Sequence, residues 1–169
     1  MDSRFGKTHI RSRAGLEMIA DVLVTPDTDL LELQLDGVHC ILVDEAQFLP
    51  ATIIEQLRRI TLEKNIPVIC YGLRTDFKSR LFEGSTRLME LADCIEEVKA
   101  TCHFCNRKSI MNLKRVNGRP VSEGPSIQLG AEETYLPVCY GCYVLQINEG
   151  KAAPAMAGSE ANSKSDCSE

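Results

Sequence analysis

Two C-x-x-C pairs, Cys102 with Cys105 and Cys139 with Cys142, constrain this chain more than any other feature. The pairs are separated by 33 residues, and each pair is a chelating unit, so the four thiolates can together close a tetrahedral Zn2+ site. Four protein ligands leave no position open for water, which makes such an ion structural. Free thiols and a thioredoxin-like redox pair are the competing readings. The second needs only one pair, at a strand-to-helix junction. Between the pairs, Ile110 to Val116 and the residues after Asn117-Gly118 read as two arms of a hairpin, because Asn-Gly supplies the positive φ angles of a type I′ turn. A small β module carrying zinc is therefore expected over 99–147.

The other cysteines do not extend the metal pattern. Cys40, Cys70 and Cys94 lie in largely apolar segments and read as buried thiols, and Cys167 falls in the tail. At 169 residues, with 44% apolar and 25% charged positions, the composition is that of a globular protein with a sizeable core. A net charge of -5 gives no basic footprint for a phosphodiester backbone, so nucleic acid is not an expected partner. No run of 18 apolar residues and no cleavable leader is present in the sequence, so a membrane partner is not expected and a cytoplasmic location is.

Ahead of the zinc module the pattern is α/β. Met1 to Arg13 is polar and basic without periodicity and reads as a loop, and Ile19 to Val24 is a short apolar run. Asp27 to Leu35 reads as a helix with acidic residues in its first turn. Val38 to Val43 reads as a strand covered on both faces, as in a parallel sheet. Pro50 suits a first helical turn, and Ile53, Ile54, Leu57 and Ile60 form a helical stripe stopped by Asn65 and Pro67. Val68 to Leu73 is the next strand, completing a strand-helix-strand unit with the usual right-handed crossover. A further helix is expected at Ser85 to Leu91. From Gly150 onward, Ala, Ser, Gly, Lys and Glu without periodicity read as a disordered tail, placed at 148–169.

Asp44-Glu45-Ala46-Gln47 closes the apolar run Cys40-Ile41-Leu42-Val43. Two carboxylates at the carboxyl end of a buried strand are costly unless a metal, a phosphate site or a proton transfer uses them. One reading caps the following helix with the acidic pair. The other gives Asp44 to a magnesium ion and Glu45 to proton abstraction from a substrate hydroxyl. Gly6-Lys7-Thr8 imitates the end of a phosphate loop, but the loop's first glycine falls on Met1 and no strand precedes it, so it is read as a decoy.

Taken together, Asp44-Glu45-Ala46-Gln47-Phe48, Cys70-Tyr71-Gly72-Leu73-Arg74-Thr75-Asp76-Phe77 and the paired cysteines closely resemble the thymidine kinase family of the cellular and bacterial type. The resemblance runs from Asp2-Ser3-Arg4-Phe5 to about Tyr143. It implies transfer of the ATP γ-phosphate to the 5′-hydroxyl of thymidine, with Mg2+, in a homotetramer. It makes Glu45 the general base and puts Asp44, Gln47 and Arg4 on the nucleotide and magnesium side. It assigns Asp2 to the substrate side near the reacting phosphate and Phe77 to packing against the thymine. Ser126, Ile127, Gln128, Leu129 and Gly130 correspond to the loop whose backbone groups bond the base, and Tyr135 to the family's tyrosine. The zinc module is then expected to anchor that loop.

The resemblance also sets out a departure. The family places a strand, phosphate loop, helix and second strand before the Asp-x-Arg segment, and these 169 residues contain no G-x-x-x-x-G-K-[ST]. The expected fold is therefore an N-terminally truncated P-loop-type parallel sheet, a partial kinase domain at 1–98, followed by the zinc-binding β module. Lacking the backbone cradle and lysine for the phosphates, the isolated chain is expected to be inactive. A noncatalytic zinc-binding interaction protein derived from such a kinase is the alternative. Gly130-Ala131 stands where the family has paired glycines.

Overall fold

A computed structural model describes residues 9–11, 15, 17–124 and 133–152. It is a mixed α/β structure with one parallel and two antiparallel sheets among the described residues, and the chain divides into two compact units. The first takes Met1–Arg74 with Phe82–Asp93, and the second takes Thr75–Leu81 with Cys94–Glu169. No helix among the described residues is long and apolar enough to cross a membrane.

In the first unit, β1 (His9–Arg11) pairs antiparallel with β2 (Glu17–Ile19), so part of the expected Met1 to Arg13 loop is a strand. The helix expected over Asp27 to Leu35 is reduced to a single 3-10 turn, Leu30–Glu32. Its start is capped: Asp29 accepts from the Leu31 N–H, and Gln56 Oε1 accepts from the Leu30 N–H at 2.7 Å. The turn ends at Leu33, which is extended and whose N–H bonds the Leu30 carbonyl.

β3 (Ile41–Val43) pairs in parallel with β4 (Val68–Cys70), in the register Leu42 opposite Ile69. Between them α1 (Ala51–Lys64) buries Ile53, Ile54, Leu57 and Ile60, the stripe read from the sequence. Each such side chain contributes roughly 1.5–3 kcal/mol on burial, so this stripe dominates the unit's core. Asn65 ends the helix in the left-handed conformation at φ 53°. α2 (Glu83–Leu91) begins two residues earlier than expected. Its Glu83 Oε1 accepts from the Ala51 N–H at 3.0 Å, satisfying an otherwise orphaned donor at the start of α1.

The expectation that β3 is covered on both faces is wrong. Ile41, Val43, Val68 and Cys70 pack on the α1 core, but Leu42 is 60% exposed and Ile69 faces the same open side. Cys40 and Cys94 are likewise exposed rather than buried, and Cys70 is half-buried, its thiol pushed up to about 11 by burial.

In the second unit, β5 (Met111–Val116) is the centre of a three-stranded antiparallel sheet between β6 (Arg119–Val121) and β7 (Glu133–Val138). The Asn117-Gly118 turn has φ of 49° and 75°, the expected type I′ sign pattern. Both β7 and α3 (Tyr140–Ala152) are additions to what the sequence suggested, and α3 continues past position 148. One face of the sheet, with Met111, Leu113 and Val138, packs with Tyr143 and Ile147 of α3 and three of the paired cysteines into a second core.

Candidate functional site

The cysteine pairs are brought together from four chain positions within the second unit. Cys102 and Cys105 lie on a loop pinned by the Cys102 N–H to the Arg107 carbonyl and the His103 N–H to the Pro137 carbonyl. Cys139 follows directly on β7, and Cys142 lies in the first turn of α3, its N–H donating to the Cys139 Sγ at 3.4 Å. All four Sγ atoms lie within 4.8 Å of one another. The Sγ atoms of Cys105 and Cys139 are 3.7 Å apart, and those of Cys142 and Cys105 are 3.8 Å apart. A zinc–sulfur bond of about 2.3 Å gives a tetrahedron edge of about 3.8 Å, so the spacing fits Zn2+.

The thiol electrostatics agree with a metal centre. Burial opposes the charged form of Cys102, but backbone hydrogen bonds at Cys139, Phe104 and Cys105 outweigh it and bring the thiol down to about 6. Cys142 is driven strongly upward, by burial first and then by its sulfur neighbours. Four thiols cannot share so small a volume as thiolates without a cation among them.

In the first unit, Asp44 and Glu45 leave the end of β3 side by side and exposed. Asp44 Oδ1 accepts from the Glu45 N–H at 3.0 Å. Glu45 itself is left-handed, at φ 52° and ψ 34°, which turns the chain sharply into the 3-10 segment Ala46–Phe48. The turn is locked to β4: the Tyr71 N–H donates to the Val43 carbonyl at 2.8 Å and the Ala46 N–H to the Tyr71 carbonyl at 2.9 Å. Neither carboxylate caps α1, whose N-cap is Pro50, and Glu45 makes no side-chain capping bond. The helix-cap reading is therefore excluded.

Gln47 is turned inward and only 2% exposed. Its Nε2 donates to the Glu45 carboxylate, and its Oε1 accepts from the Leu73 N–H at 3.0 Å. Glycine is required beside it. A Cβ at Gly72 would lie 2.6 Å from Gln47 Oε1, and one at Gly84 would lie 2.5 Å from the Ala46 carbonyl oxygen. Ser85 Oγ donates to the Leu73 carbonyl at 2.7 Å and completes the support. No motif singles out Gly84 and Ser85 in the sequence, because their importance arises only when α2 abuts the Glu45 turn.

A second cluster forms within the second unit. Phe77 sits in a bend where Asp76 Oδ1 accepts from the N–H groups of Lys78 and Arg80. Its ring is buried, and its carbonyl accepts from Tyr143 Oη at 2.6 Å. On the sheet, Tyr135 of β7 stands directly opposite Lys114 of β5. The Lys114 Nζ lies 5.0 Å from the Phe77 ring centroid and 5.8 Å from that of Tyr135, and it pairs with Glu133 at 2.8 Å. The Tyr135 hydroxyl is raised above its ordinary value by burial, with Lys114 and Glu133 pulling in opposite directions. Phe77 and Tyr135 are thus joined through a lysine that the sequence reading did not single out. Its signal was a cation in the middle of the run Ile110 to Val116. Asp2, Arg4, Ser126, Ile127, Gln128, Leu129 and Gly130 lie outside the described residues.

Residues 1–143 match the thymidine kinase family. The chain is 43% identical over 142 residues to a thymidine kinase of Streptococcus gordonii, an alignment covering 82% of this chain and 74% of the relative. A thymidine kinase of Streptococcus pyogenes serotype M28 is 42% identical, with 82% and 75% covered. One from Lactobacillus acidophilus is also 42% identical, over 150 residues, with the same two shares.

Proposed function

The chain belongs to the thymidine kinase family, and on that premise we propose that it serves the transfer of the ATP γ-phosphate to the 5′-hydroxyl of thymidine. The observation that carries this reading is the Glu45 carboxylate, presented to solvent at the end of a parallel strand and held by the buried Gln47. A carboxylate so fixed is suited to take the 5′-hydroxyl proton as the oxygen attacks phosphorus. Asp44 beside it serves the magnesium side, and Gln47 contributes there by fixing the neighbouring carboxylate. Magnesium with ATP would supply charge neutralisation on the phosphates. Arg4 and Asp2 are assigned to the phosphate and substrate ends, as the family resemblance implies.

Nucleoside recognition belongs to the second unit in this reading. Tyr135 offers exposed aromatic surface for the thymine with the buried Phe77 ring behind it, and Ser126 to Gly130 are assigned the backbone hydrogen bonds to its edge, as the family resemblance implies. Zinc on Cys102, Cys105, Cys139 and Cys142 holds the strand end that carries Tyr135. The proposed division is a partial P-loop kinase domain at 1–98 and a zinc-binding module from 99, which α3 carries past 147 to Ala152, with the tail beyond. The setting is nucleotide salvage for DNA synthesis in the cytoplasm, by a homotetramer as in the family.

The 169 residues include no glycine-rich phosphate loop, so by themselves they are proposed to bind thymidine without efficient turnover. The second reading is a noncatalytic zinc-binding interaction protein, supported by the closed four-cysteine cluster. The two separate in one experiment on the zinc-loaded chain: thymidine binding by calorimetry, then phosphorylation with ATP and magnesium. Binding with little turnover is the expected result. No binding favours the interaction protein, and brisk turnover that vanishes in Glu45→Gln overturns the requirement for the loop.

A further inference from the structure

Lys114 is an unusual residue to find on the central strand of a small sheet. Its side chain is 2% exposed, and its ammonium pairs with the Glu133 carboxylate at 2.8 Å. Its ammonium lies within cation–π range of two rings, at 5.0 Å from Phe77 and 5.8 Å from Tyr135. Those rings come from a bend and from a strand that have no direct hydrogen-bonded pairing with each other in the sheet register. A buried ion pair is seldom the most stable way to fill such a space, because apolar side chains of similar volume avoid its desolvation cost. What an ammonium supplies here, and a methyl group does not, is attraction to two π faces at once.

We propose that Lys114 is a positioning residue for nucleoside binding, which sets the Phe77 and Tyr135 rings in the arrangement that receives the pyrimidine base. The proposal rests on the assignment of Phe77 and Tyr135 to the thymine in the function proposed above. Glu133 orients the Lys114 ammonium at 2.8 Å, and Lys78 adds a second ammonium 5.3 Å from the Phe77 centroid, so Lys114 is the cation shared by both rings. Lys114 itself need not touch the nucleoside, since its effect passes through the two rings.

The test uses the zinc-loaded 169-residue chain and thymidine as the probe. Lys114→Met with Glu133→Gln removes both charges together, so neither is left buried alone. Loss of the desolvated cation–π attraction is expected to weaken thymidine binding about tenfold while zinc content and unfolding midpoint stay near wild type. Lys114→Arg keeps a cation over both rings and is expected to restore affinity to within about threefold. Unchanged thymidine affinity in the double variant with zinc intact overturns the proposal. Should the double variant lose its zinc, ring-carbon NMR signals of Phe77 and Tyr135 in Lys114→Arg decide instead. Movement of both rings together with affinity supports the role, and shifted rings with unaltered affinity overturn it. A wild-type chain that binds no thymidine overturns the functional reading as well, which separates that failure from a failure of Lys114 alone.

Discussion

The two units solve the problem of a small core in opposite ways. The first builds its core from one helix stripe on one face of a two-stranded parallel sheet and leaves Leu42 and Ile69 on the open face. The second closes a three-stranded antiparallel sheet against α3 and draws Cys102, Cys139 and Cys142 into the same core as Leu113 and Val138. Rigidity at the Glu45 turn therefore comes from close backbone packing against glycines. Around Tyr135 the corresponding supports are a four-cysteine cluster that fits a metal ion and the buried Lys114–Glu133 ion pair. The proposed function follows the same division, with the proton transfer assigned to the exposed carboxylates and the base to the cluster of buried Phe77, Lys114 and the exposed Tyr135.

Zinc removal breaks this comparison most forcefully. A structural zinc site contributes about 10 kcal/mol or more to the fold that holds it, so chelation is expected to unfold the second unit and abolish thymidine binding. Hydrogen exchange should show α1 still protected while β5 and β7 lose protection. Retained thymidine affinity in the metal-free chain breaks the link between metal and base site. Zinc affinity should also fall as pH falls, since protons compete for the thiolates, Cys102 being the last of the shifted thiols to lose its charge, at about 6.

Gly84→Ala is the corresponding blow to the first unit. The added methyl would meet the carbonyl oxygens of Ala46 and Leu49 at 2.5 and 2.7 Å. Backbone cannot yield as a flexible side chain does, and such overpacking costs about 1–3 kcal/mol. Thermal unfolding should detect it while zinc content stays constant. Glu83→Ala is expected to cost less, about 1 kcal/mol, by orphaning the Ala51 N–H at the start of α1.

The smallest effect concerns the surface. Arg58 forms a two-pronged pair with Asp93, and its hydrogen bond and charge hold that carboxyl below the usual range. A depressed carboxyl contributes stability above its unfolded pKa and loses it as pH falls through the folded value. The stability gap between wild type and Asp93→Asn should thus be present at neutral pH and close in acid. A gap that persists in acid would falsify the assignment to this pair.

The sequence was most readable where local and tertiary demands agree. Ile53, Ile54, Leu57 and Ile60 face the core because a single period explains them, and Asn117-Gly118 turns because few other pairs accept two positive φ angles. The cysteine spacing likewise predicts the cluster that forms. Reading failed at Asp27 to Leu35, where the chain turns extended at Leu33 after one capped 3-10 turn and the acidic first turn does not record it. It also failed where one short strand was credited with two covered faces. Gly84, Ser85 and Lys114 were invisible for a different reason: each matters through a neighbour distant in sequence, and no period or spacing records that.

Glu45 takes a backbone conformation that glycine adopts freely and a side chain reaches at a cost of roughly 1–2 kcal/mol. Position 45 should therefore separate two kinds of selection. A screen for abundance would tolerate or even favour glycine there, whereas a screen for nucleoside phosphorylation, in any chain that completes the phosphate site, would reject it. A left-handed glutamate held by Gln47 is a local strain that the proposed proton transfer at Glu45 would account for.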